Sequence, residues 1–435
     1  MERGRFVESM LEGSEGRAWL ESTKTRGMAL GLEHTFETLK ELRLQPLTGE
    51  LVHVAGSNGK GTTVASLCAA LTASGVTNLS FTSPHLVRVE ERIRINGRPV
   101  SAVDFDDALK VVKAADEARN NALTFFETTF LIAMVIAARS QVRVVVLETG
   151  LGGRLDATRV ASADLCIVTS LSLEHTDVLG ATLREIAAEK AAIARPGVPM
   201  VVRRPAEADV VEVIESCAAN AGERLLSEGT GPASLHWVNI EPGWSYHQEA
   251  MAVAAEAWTH LKACKSLAFP DLRAVTWPGR MHELCSPRRE DLCFLLDGAH
   301  NPSGMEASCA VLETFLAQRT SWSLMVGTSP QNQMQTMLAP LVSLCLRHPP
   351  TEVVVSVPQG GRYPGVPGEV LKKHLHDAGL EVTHVSATPE EAVMWFETAS
   401  EVETVVSIGS LYMQGNVMEV LGAVDDRALS IEAKQ

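Results

Sequence analysis

The amino-acid sequence predicts an α/β protein with an N-terminal P-loop-type, mostly parallel sheet covered by helices on both faces, plus a smaller Rossmann-like α/β domain. Two observations predict this fold class. Apolar runs of strand length alternate with helical patterns through most of the 435 residues, which is typical of βαβ units. A glycine-rich turn also joins an early apolar run to a helical pattern, and such turns open phosphate-binding helices.

The first series of elements makes up a predicted N-terminal domain, residues 1–275. Continuous apolar runs such as Val142–Leu147 suit strands that are buried on both faces of a parallel sheet. The expected strands are Leu51–Ala55, Arg143–Glu148, Ala163–Leu171 and Val198–Val202, and the expected helices are Thr62–Ala73, Thr128–Ala138 and Leu183–Ile193.

A second series of the same kind predicts a C-terminal domain, residues 276–435. The expected strands are Leu292–Asp297, Ser323–Gly327, Glu352–Val357 and Thr404–Gly409, and the expected helices are Ser303 to about Gln318, Met334–Leu346 and Glu369–Ala378. Glu223–Pro242 is poorly patterned, and Trp277-Pro-Gly-Arg is typical of a linker. Ser430–Gln435 is predicted to be a frayed tail.

Composition and charge exclude several classes of protein. The hydrophobic share of 46% and charged share of 21% fit packed domains. The longest apolar run, Phe130–Ala138, is far shorter than the roughly 20 residues of a membrane span, and the N-terminus lacks the apolar segment of a secretory signal. We therefore expect no membrane partner and a cytoplasmic location, with an organellar form left open. A net charge of −15 argues against nucleic acid.

The eight cysteines are dispersed, and no two have the C-x-x-C spacing of zinc or redox sites. Several lie among apolar residues, for example Cys166 and Cys293. We expect all eight to be buried, reduced thiols, with neither a zinc site nor a disulfide.

The most informative segment is Gly56-Ser-Asn-Gly-Lys-Gly-Thr-Thr, which follows a predicted strand and opens a helix. Its glycines allow the backbone N–H groups to turn inward around phosphate, Lys60 supplies a positive charge, and Thr62 offers an oxygen to Mg²⁺. Its spacing departs from G-x-x-x-x-G-K-[ST], because Gly61 separates Lys60 from Thr62. A purely structural glycine-rich turn is the alternative.

Polar residues after three other strands are further candidates. Ligands of α/β sheets bind beyond the carboxyl ends of strands, so Glu148 and His175 could hold Mg²⁺, and Asp297 would face the same crevice. The alternatives are a solvated Glu148, a His175 that only caps a helix, and an Asp297-Gly turn before a helix start at Asn301-Pro302. Lys190 lies on an amphipathic helix, where a solvated surface lysine is commoner.

Several segments together resemble the folylpolyglutamate and dihydrofolate synthases of the Mur-ligase superfamily. The resemblance runs from about residue 51 to 415 and includes the form of the loop with a glycine between lysine and hydroxyl. The matching segments are Gly56-Ser-Asn-Gly-Lys-Gly-Thr, Phe81-Thr-Ser-Pro-His-Leu, Glu91-Arg-Ile-Arg-Ile-Asn-Gly, Thr124-Phe-Phe-Glu, Leu147-Glu-Thr-Gly-Leu-Gly-Gly-Arg-Leu-Asp-Ala-Thr, Glu189-Lys-Ala, Pro278-Gly-Arg, Asp297-Gly-Ala-His-Asn-Pro and Gly409-Ser-Leu-Tyr.

The resemblance implies an ATP-dependent ligase that joins L-glutamate to a pterin carboxylate, dihydropteroate or a reduced folate, through an acyl phosphate. Residues 1–275 would form the ATP-binding domain with the pterin site, and 276–435 the C-terminal ligase domain. Two Mg²⁺ ions, a carbamylated Lys190 and a monomeric chain are also implied. A Mur-type ligase for another acid and amino acid, and a nucleotide-binding protein without ligase activity, are the alternatives.

The resemblance also assigns roles to individual residues. ATP would contact Gly56, Ser57, Asn58, Gly59, Lys60, Gly61, Thr62, Thr63, Arg280 and Asp297. The substrates would contact Thr82, Ser83, Pro84, Thr124, Phe126, Asp156, Ala157, His300 and Ser410. The metal ligands would be Thr62, Ser83, Glu148 and His175, and the catalytic residues Lys60, Lys190 and His300. From the residues alone, Phe125 and Phe126 could instead belong to the core.

Three positions depart from the family pattern. Met251 stands where the family has an asparagine expected to read adenine, and Gly327-Thr-Ser-Pro-Gln-Asn-Gln replaces an Asp-Lys-Asp element. Glu174 replaces an aspartate before His175, which keeps the charge but lengthens its reach. These departures favour weakened adenine discrimination and altered loop contacts.

Overall fold

The computed structural model describes residues 15–27, 31–44, 47–119, 123–221, 231–319, 321–361 and 363–434. The protein contains two α/β units, each built on its own sheet. The larger sheet has eight strands in the order β4-β3-β2-β5-β1-β6-β7-β8, and the smaller has six in the order β10-β11-β15-β12-β13-β14. Together with the helices, this arrangement confirms the predicted fold class.

The larger sheet is parallel from β2 to β8, and β3 and β4 add an antiparallel edge. Its strands are β1 Glu50–Ala55, β2 Asn78–Phe81, β3 Ile93–Ile95, β4 Arg98–Pro99, β5 Val144–Glu148, β6 Leu165–Val168, β7 Pro199–Arg203 and β8 Ser234–Val238. Its helices are α1, described over 15–22, α2 Glu33–Glu41, α3 Lys60–Ala73, α4 Ala102–Ala118, α5 Phe125–Ser140, α6 Thr176–Leu179, α7 Leu183–Ala191, α8 Ala208–Ala219 and α9 Tyr246–His260.

The smaller sheet is parallel apart from β10, which pairs antiparallel with β11. Its strands are β10 His282–Cys285, β11 Cys293–Asp297, β12 Ser323–Val326, β13 Val353–Ser356, β14 His384–Ser386 and β15 Thr404–Ile408. Its helices are α10 Pro302–Leu316, α11 Met334–Arg347, α12 Gly368–Asp377, α13 Pro389–Thr398 and α14 Leu411–Val420. A separate pair, β9 Ala274–Thr276 and β16 Glu432–Lys434, is antiparallel.

Apolar side chains cover both faces of each sheet, which explains the continuous apolar strands. On the larger sheet, α3 and α9 pack on one face through residues such as Leu67 and Trp258, while α5 packs on the other through Phe130. The central strand β1 runs between β5 and β6. The loops after these three strands therefore meet at one edge, where the site is built.

Three expectations are wrong. Within the poorly patterned 223–242 stretch, part of which lies outside the described residues, Ser234–Val238 forms β8 and pairs with β7 over five residue pairs. The predicted tail pairs as β16 with β9, although Gln435 is outside the described residues. Cys285 and Cys293 face each other on adjacent strands and form a disulfide, whereas the other six cysteines are buried thiols outside any disulfide.

The chain leaves the larger sheet after β8 and α9 and enters the smaller one at His282. The predicted boundary at residue 275 falls inside β9. Along the chain, β9 lies between the last strand of the larger sheet and the first strand of the smaller one. In the part of the chain that the structure describes, no helix is both long and apolar enough to cross a bilayer.

Candidate active site

The glycine-rich loop after β1 is fixed by the end of β6. Gly56 has φ 152°, and a Cβ there would lie 1.9 Å from Thr169 Oγ1, so only glycine fits. Thr169 Oγ1 donates to the Asn58 carbonyl at 2.7 Å, and Gly59 precedes α3 with φ 80°. The loop amides are thus held at the N-terminus of a 14-residue helix, where anions bind.

The contacts of Lys60 and Gly61 show how the loop accommodates its unusual spacing. Lys60 Nζ donates to the Gly56 carbonyl at 2.8 Å, so its charge lies against the loop. A Cβ on Gly61 would lie 3.3 Å from the Trp277 indole ring, which comes from the segment between the sheets. The glycine between lysine and threonine therefore also makes room for a side chain from outside the N-terminal sheet.

The loop is bridged to the second domain by asparagine side chains. Asn58 Nδ2 donates to Ser303 Oγ at 2.8 Å, and Asn301 Nδ2 donates to Asn58 Oδ1 at 3.0 Å. Asn301 also caps α10 by accepting from the Gly304 N–H at 2.8 Å, with Pro302 in the first turn. The helix-start interpretation of Asn301-Pro302 is therefore correct, and the same residue joins the two domains.

A cavity of ≈ 340 Å³ lies along this bridge. Its lining includes the predicted ATP residues Asn58, Gly59, Thr62, Thr63, Arg280 and Asp297, together with His300, which was assigned to the glutamate side. Arg280 Nη1 is buried without a hydrogen-bond partner among the described residues, and such a donor suits a phosphate oxygen. Tyr246 and Trp244 also line it and were missed. They lie shortly before Met251 in the chain, and the family match at that position was the available signal.

Asp297, at the end of β11, is 1% exposed and accepts four hydrogen bonds. The donors are the Met281 N–H and Tyr246 hydroxyl to Oδ2, and the Ala299 N–H and Ser308 hydroxyl to Oδ1, over 2.7 to 3.1 Å. Through Tyr246, this carboxylate ties the smaller sheet to the first turn of α9. Asp297 is therefore much more than the turn residue of the alternative interpretation.

Met251, on the same helix α9, is partly buried but is not among the residues that line this cavity. The α9 residues that line the cavity are Tyr246, Glu249, Ala250 and Val253. Glu249 forms an ion pair with Arg203 at 2.6 Å at the cavity wall. The effect of Met251 on adenine recognition stays a prediction.

Glu148, at the end of β5, is 4% exposed, so it is not simply solvated. Its Oε2 accepts from the Ser83 N–H at 3.0 Å. Burial raises its pKa, and the positive charge of Lys60 opposes that rise. The Glu148 carboxylate and the buried Thr62 hydroxyl each offer an oxygen of the kind that Mg²⁺ prefers.

His175 immediately precedes α6, with an exposed side chain and φ 44°. It makes no side-chain cap to that helix, so the structure does not support the capping alternative. Its predicted role as a metal ligand stays a prediction.

Lys190 lies beside the phosphate loop with a side chain only 1% exposed, which rules out a solvated surface lysine. Its Nζ donates to the Gly56 carbonyl at 2.9 Å and to Glu174 Oε1 at 2.7 Å. Burial lowers the pKa of Lys190 to about 8, against the opposing effect of Glu174. The longer Glu174 side chain therefore reaches the lysine directly.

A second cavity has a volume of ≈ 540 Å³, within the usual range for small-molecule sites. It is lined by the predicted substrate residues Ser83, Pro84, Thr124, Phe126, Asp156 and Ala157. Lys24, Arg92 and Tyr412 also line it and were missed. Lys24 and Arg92 both lie over the Phe125 ring, 5.0 and 5.1 Å from its centroid.

The walls of this larger cavity are rigid for identifiable reasons. Thr124 and Glu127 form a capping box at the start of α5, which fixes Phe125 and Phe126. Asp156 accepts from the N–H groups of Gly150 and Leu151 at 2.8 and 2.9 Å and caps the turn that begins at Ala157. Burial raises the pKa of Asp156. Phe125 is 9% exposed, and Phe126 packs partly on the core.

Two predicted substrate residues do not line either cavity. Thr82 and Ser410 are each 2% exposed, and Thr82 Oγ1 accepts from Arg94 at 3.3 Å. Both follow strand ends, and their side chains lie in packed surroundings. Their predicted contact with substrate stays a prediction.

The chain is similar to proteins of known sequence and of known structure. The chain matches no protein-family model. It is 37% identical over 315 residues to the dihydrofolate synthase/folylpolyglutamate synthase of Haemophilus influenzae, covering 66% of this chain and 71% of that protein.

Two solved structures are also similar, each with a TM-score of 0.74, 26% identity, and coverage of 94% of this chain and 98% of the other. One is Escherichia coli FolC in complex with DHPP and ADP. The other is a bifunctional folylpolyglutamate synthase/dihydrofolate synthase with Mn, AMPPNP and L-glutamate bound.

Proposed function

The chain belongs to the dihydrofolate synthase/folylpolyglutamate synthase family, and we propose that its two cavities bind ATP and a pterin acid on either side of Ser83 and Glu148. The protein is an ATP-dependent ligase that forms an amide bond between L-glutamate and a pterin carboxylate. One observation carries the placement. Ser83 lines the larger cavity, while its N–H donates to Glu148 at the phosphate-loop side.

The reaction needs the γ-phosphate and the substrate carboxylate to meet near this wall. A carboxylate oxygen attacks the γ-phosphorus and ADP leaves, which gives an acyl phosphate. The glutamate amine then attacks the acyl carbon, loses a proton, and displaces inorganic phosphate. Lys60, the loop amides and Arg280 would neutralise the charge that develops during phosphoryl transfer.

The metal ligands we propose are Glu148 and the hydroxyls of Thr62 and Ser83, with His175 completing the set. Mg²⁺ bound there would screen the phosphate charges from the attacking carboxylate. His300, at the second-domain wall of the nucleotide cavity, is placed to orient the incoming amine. Ser410, the buried residue just before α14, is the second residue that we propose for the glutamate side.

Lys190 is the residue we propose to be carbamylated. A lysine with a pKa of about 8 has far more neutral amine near neutral pH than an ordinary lysine. That amine attacks CO₂ and loses a proton, so a buried cation becomes an anion beside the metal site. The family resemblance and the position of Lys190 next to the Gly56 carbonyl support this proposal.

The pterin acid that the protein uses as substrate can be identified by measuring the ligation reaction. Purified protein receives ATP, Mg²⁺ and glutamate with dihydropteroate, with tetrahydrofolate, or with neither, and phosphate release and product mass are followed. We expect product with at least one pterin acid. Lys60→Ala should lose this product, while the control Lys113→Ala should keep it, because Lys113 is a partly buried lysine of α4 that lines neither cavity. Absence of substrate-dependent phosphate in every mixture would contradict the proposed function. The cytoplasmic location, the monomeric state and the lack of a nucleic-acid partner stay predictions.

A further inference from the structure

A cluster of three potential metal ligands lies outside both cavities, between the edge strand β8 and the last turns of α9. Glu256 and His260 are one turn apart on α9, and His236 lies on the facing strand. Glu256 Oε1 is 3.0 Å from His260 Nε2 and 4.0 Å from His236 Nδ1. One ligand atom from each residue lies within 4.8 Å of the other two.

The three side chains are partly buried, with exposed fractions of 32% for His236, 37% for Glu256 and 17% for His260. The two imidazole rings have centroids 4.1 Å apart and are tilted by 49°. Two protonated imidazoles at this distance would repel each other.

A neighbouring hydroxyl is within hydrogen-bonding distance of the second ring nitrogen of His236. His236 Nε2 is 3.0 Å from Ser234 Oγ. When Nε2–H donates to this hydroxyl, Nδ1 is the unprotonated nitrogen, and Nδ1 is the atom that faces Glu256. Histidines that bind metals are commonly oriented by such a hydrogen bond from their second nitrogen.

We propose that His236, Glu256 and His260 bind one first-row transition metal ion of the Zn²⁺ class. Two imidazole nitrogens and one carboxylate oxygen suit Zn²⁺, Co²⁺ or Ni²⁺ and leave a position for water, whereas Mg²⁺ prefers oxygen ligands alone. Ligand atoms about 2.1 Å from a tetrahedral ion lie about 3.4 Å apart. Only a small rotation of His236 is needed to shorten its 4.0 Å separation from Glu256.

The position of the cluster gives the ion a structural consequence. The ion would tie the edge strand of the larger sheet to the end of α9, while the first turn of α9 holds Tyr246 against Asp297 in the nucleotide cavity. The two ends of this 15-residue helix are about 20 Å apart. The site is therefore separate from the proposed Mg²⁺ ligands, and its existence does not depend on the ligase reaction.

The direct test is a calorimetric titration of metal-free protein with Zn²⁺ in excess Mg²⁺, which occupies oxygen-rich sites. The wild type should bind one Zn²⁺ more per chain than His260→Ala or His236→Ala, and Glu256→Gln should bind that ion at least about tenfold more weakly. His376→Ala is the matched control, because His376 also pairs with a glutamate, Glu381, at 2.8 Å but has no third ligand beside it among the described residues. It should bind as the wild type does.

Two further measurements keep the outcome clear. Co²⁺ added to the wild type should give a visible spectrum of nitrogen and oxygen ligands without a thiolate charge-transfer band, which separates this site from the cysteines. Zn²⁺ should raise the melting temperature of the wild type by several degrees and leave that of His260→Ala unchanged. In the presence of a chelator, the two proteins should melt at similar temperatures, which shows that the variant is folded. Equal Zn²⁺ stoichiometry and affinity in wild type and variants, or a thiolate band, would overturn the proposal.

Discussion

Lys190 Nζ donates a hydrogen bond to Glu174 Oε1 across 2.7 Å, and both side chains are almost entirely buried. This contact joins α7 to the loop after β6, and a second bond from the same nitrogen reaches the Gly56 carbonyl of the phosphate loop. A change at Lys190 therefore directly alters a contact to the loop where we propose that phosphoryl transfer takes place.

The first prediction is that Lys190→Ala lowers the rate of ligation by at least about 100-fold, because the carbamate that we propose beside the metal ligands could not form. Added acetate should restore part of the rate, since a small carboxylate can occupy the space of the carbamate. Steady-state phosphate release with and without acetate measures both effects. Full activity of Lys190→Ala without acetate would rule out the carbamate role.

The second prediction concerns pH. Because the pKa of Lys190 is lowered to about 8, about a tenth of its amine is neutral at pH 7, and most is neutral at pH 9. At constant dissolved CO₂, carbamate formation should rise between pH 7 and 9 and then level off. Carbon-13 NMR with labelled CO₂ would detect the adduct, and Lys190→Arg would serve as the blank. A signal of equal size in Lys190→Arg would place the adduct elsewhere.

The third prediction separates the two cavities. A Cβ on Gly150 would lie 2.7 Å from the Phe126 ring, so Gly150→Ala should push this ring into the larger cavity. Loss of one aromatic contact predicts a rise of up to about tenfold in KM for the pterin acid, with KM for ATP unchanged. Gly16→Ala is the control, because its Cβ would meet only Leu109 at an ordinary 3.5 Å. Equal changes in both KM values would contradict separate cavities.

The fourth prediction is about stability. Asp297→Asn replaces a carboxylate that accepts four hydrogen bonds, so an amide N–H must face one of the donors. The free energy of unfolding should fall by about 1–3 kcal/mol. Tyr246→Phe removes only one of these bonds and should cost about 1 kcal/mol. Urea denaturation measures both, and an Asp297→Asn variant as stable as the wild type would show that the network contributes nothing.

Local pattern was enough to predict much of this fold. The strands around β1 are continuous apolar runs, and the turn at Gly56–Thr62 has the glycines that its backbone needs. The residues of these segments are therefore enough to predict their conformation. β16 was predicted as a tail because its three residues become a strand only through pairing with β9, which lies more than 150 residues earlier. β8 was missed for the same reason, since its partner β7 decides its conformation.

The site was predicted to a similar extent. Residues at strand ends, such as Glu148 and Asp297, could be placed because parallel strands carry their ligands at one edge. Lys190 needed the family resemblance, because an amphipathic helix does not reveal that one lysine is buried against a loop from another element. Tyr246 has no local signal that it reaches Asp297 across the domain boundary.

The most direct test of the ligase account uses a pterin acid that is labelled with oxygen-18 in both carboxylate oxygens. If the carboxylate attacks the γ-phosphorus of ATP and glutamate then displaces phosphate, each released phosphate must carry one labelled oxygen, and the amide product keeps the other. Mass spectrometry of the phosphate and the product measures both. Substrate-dependent release of unlabelled phosphate would contradict an acyl phosphate intermediate.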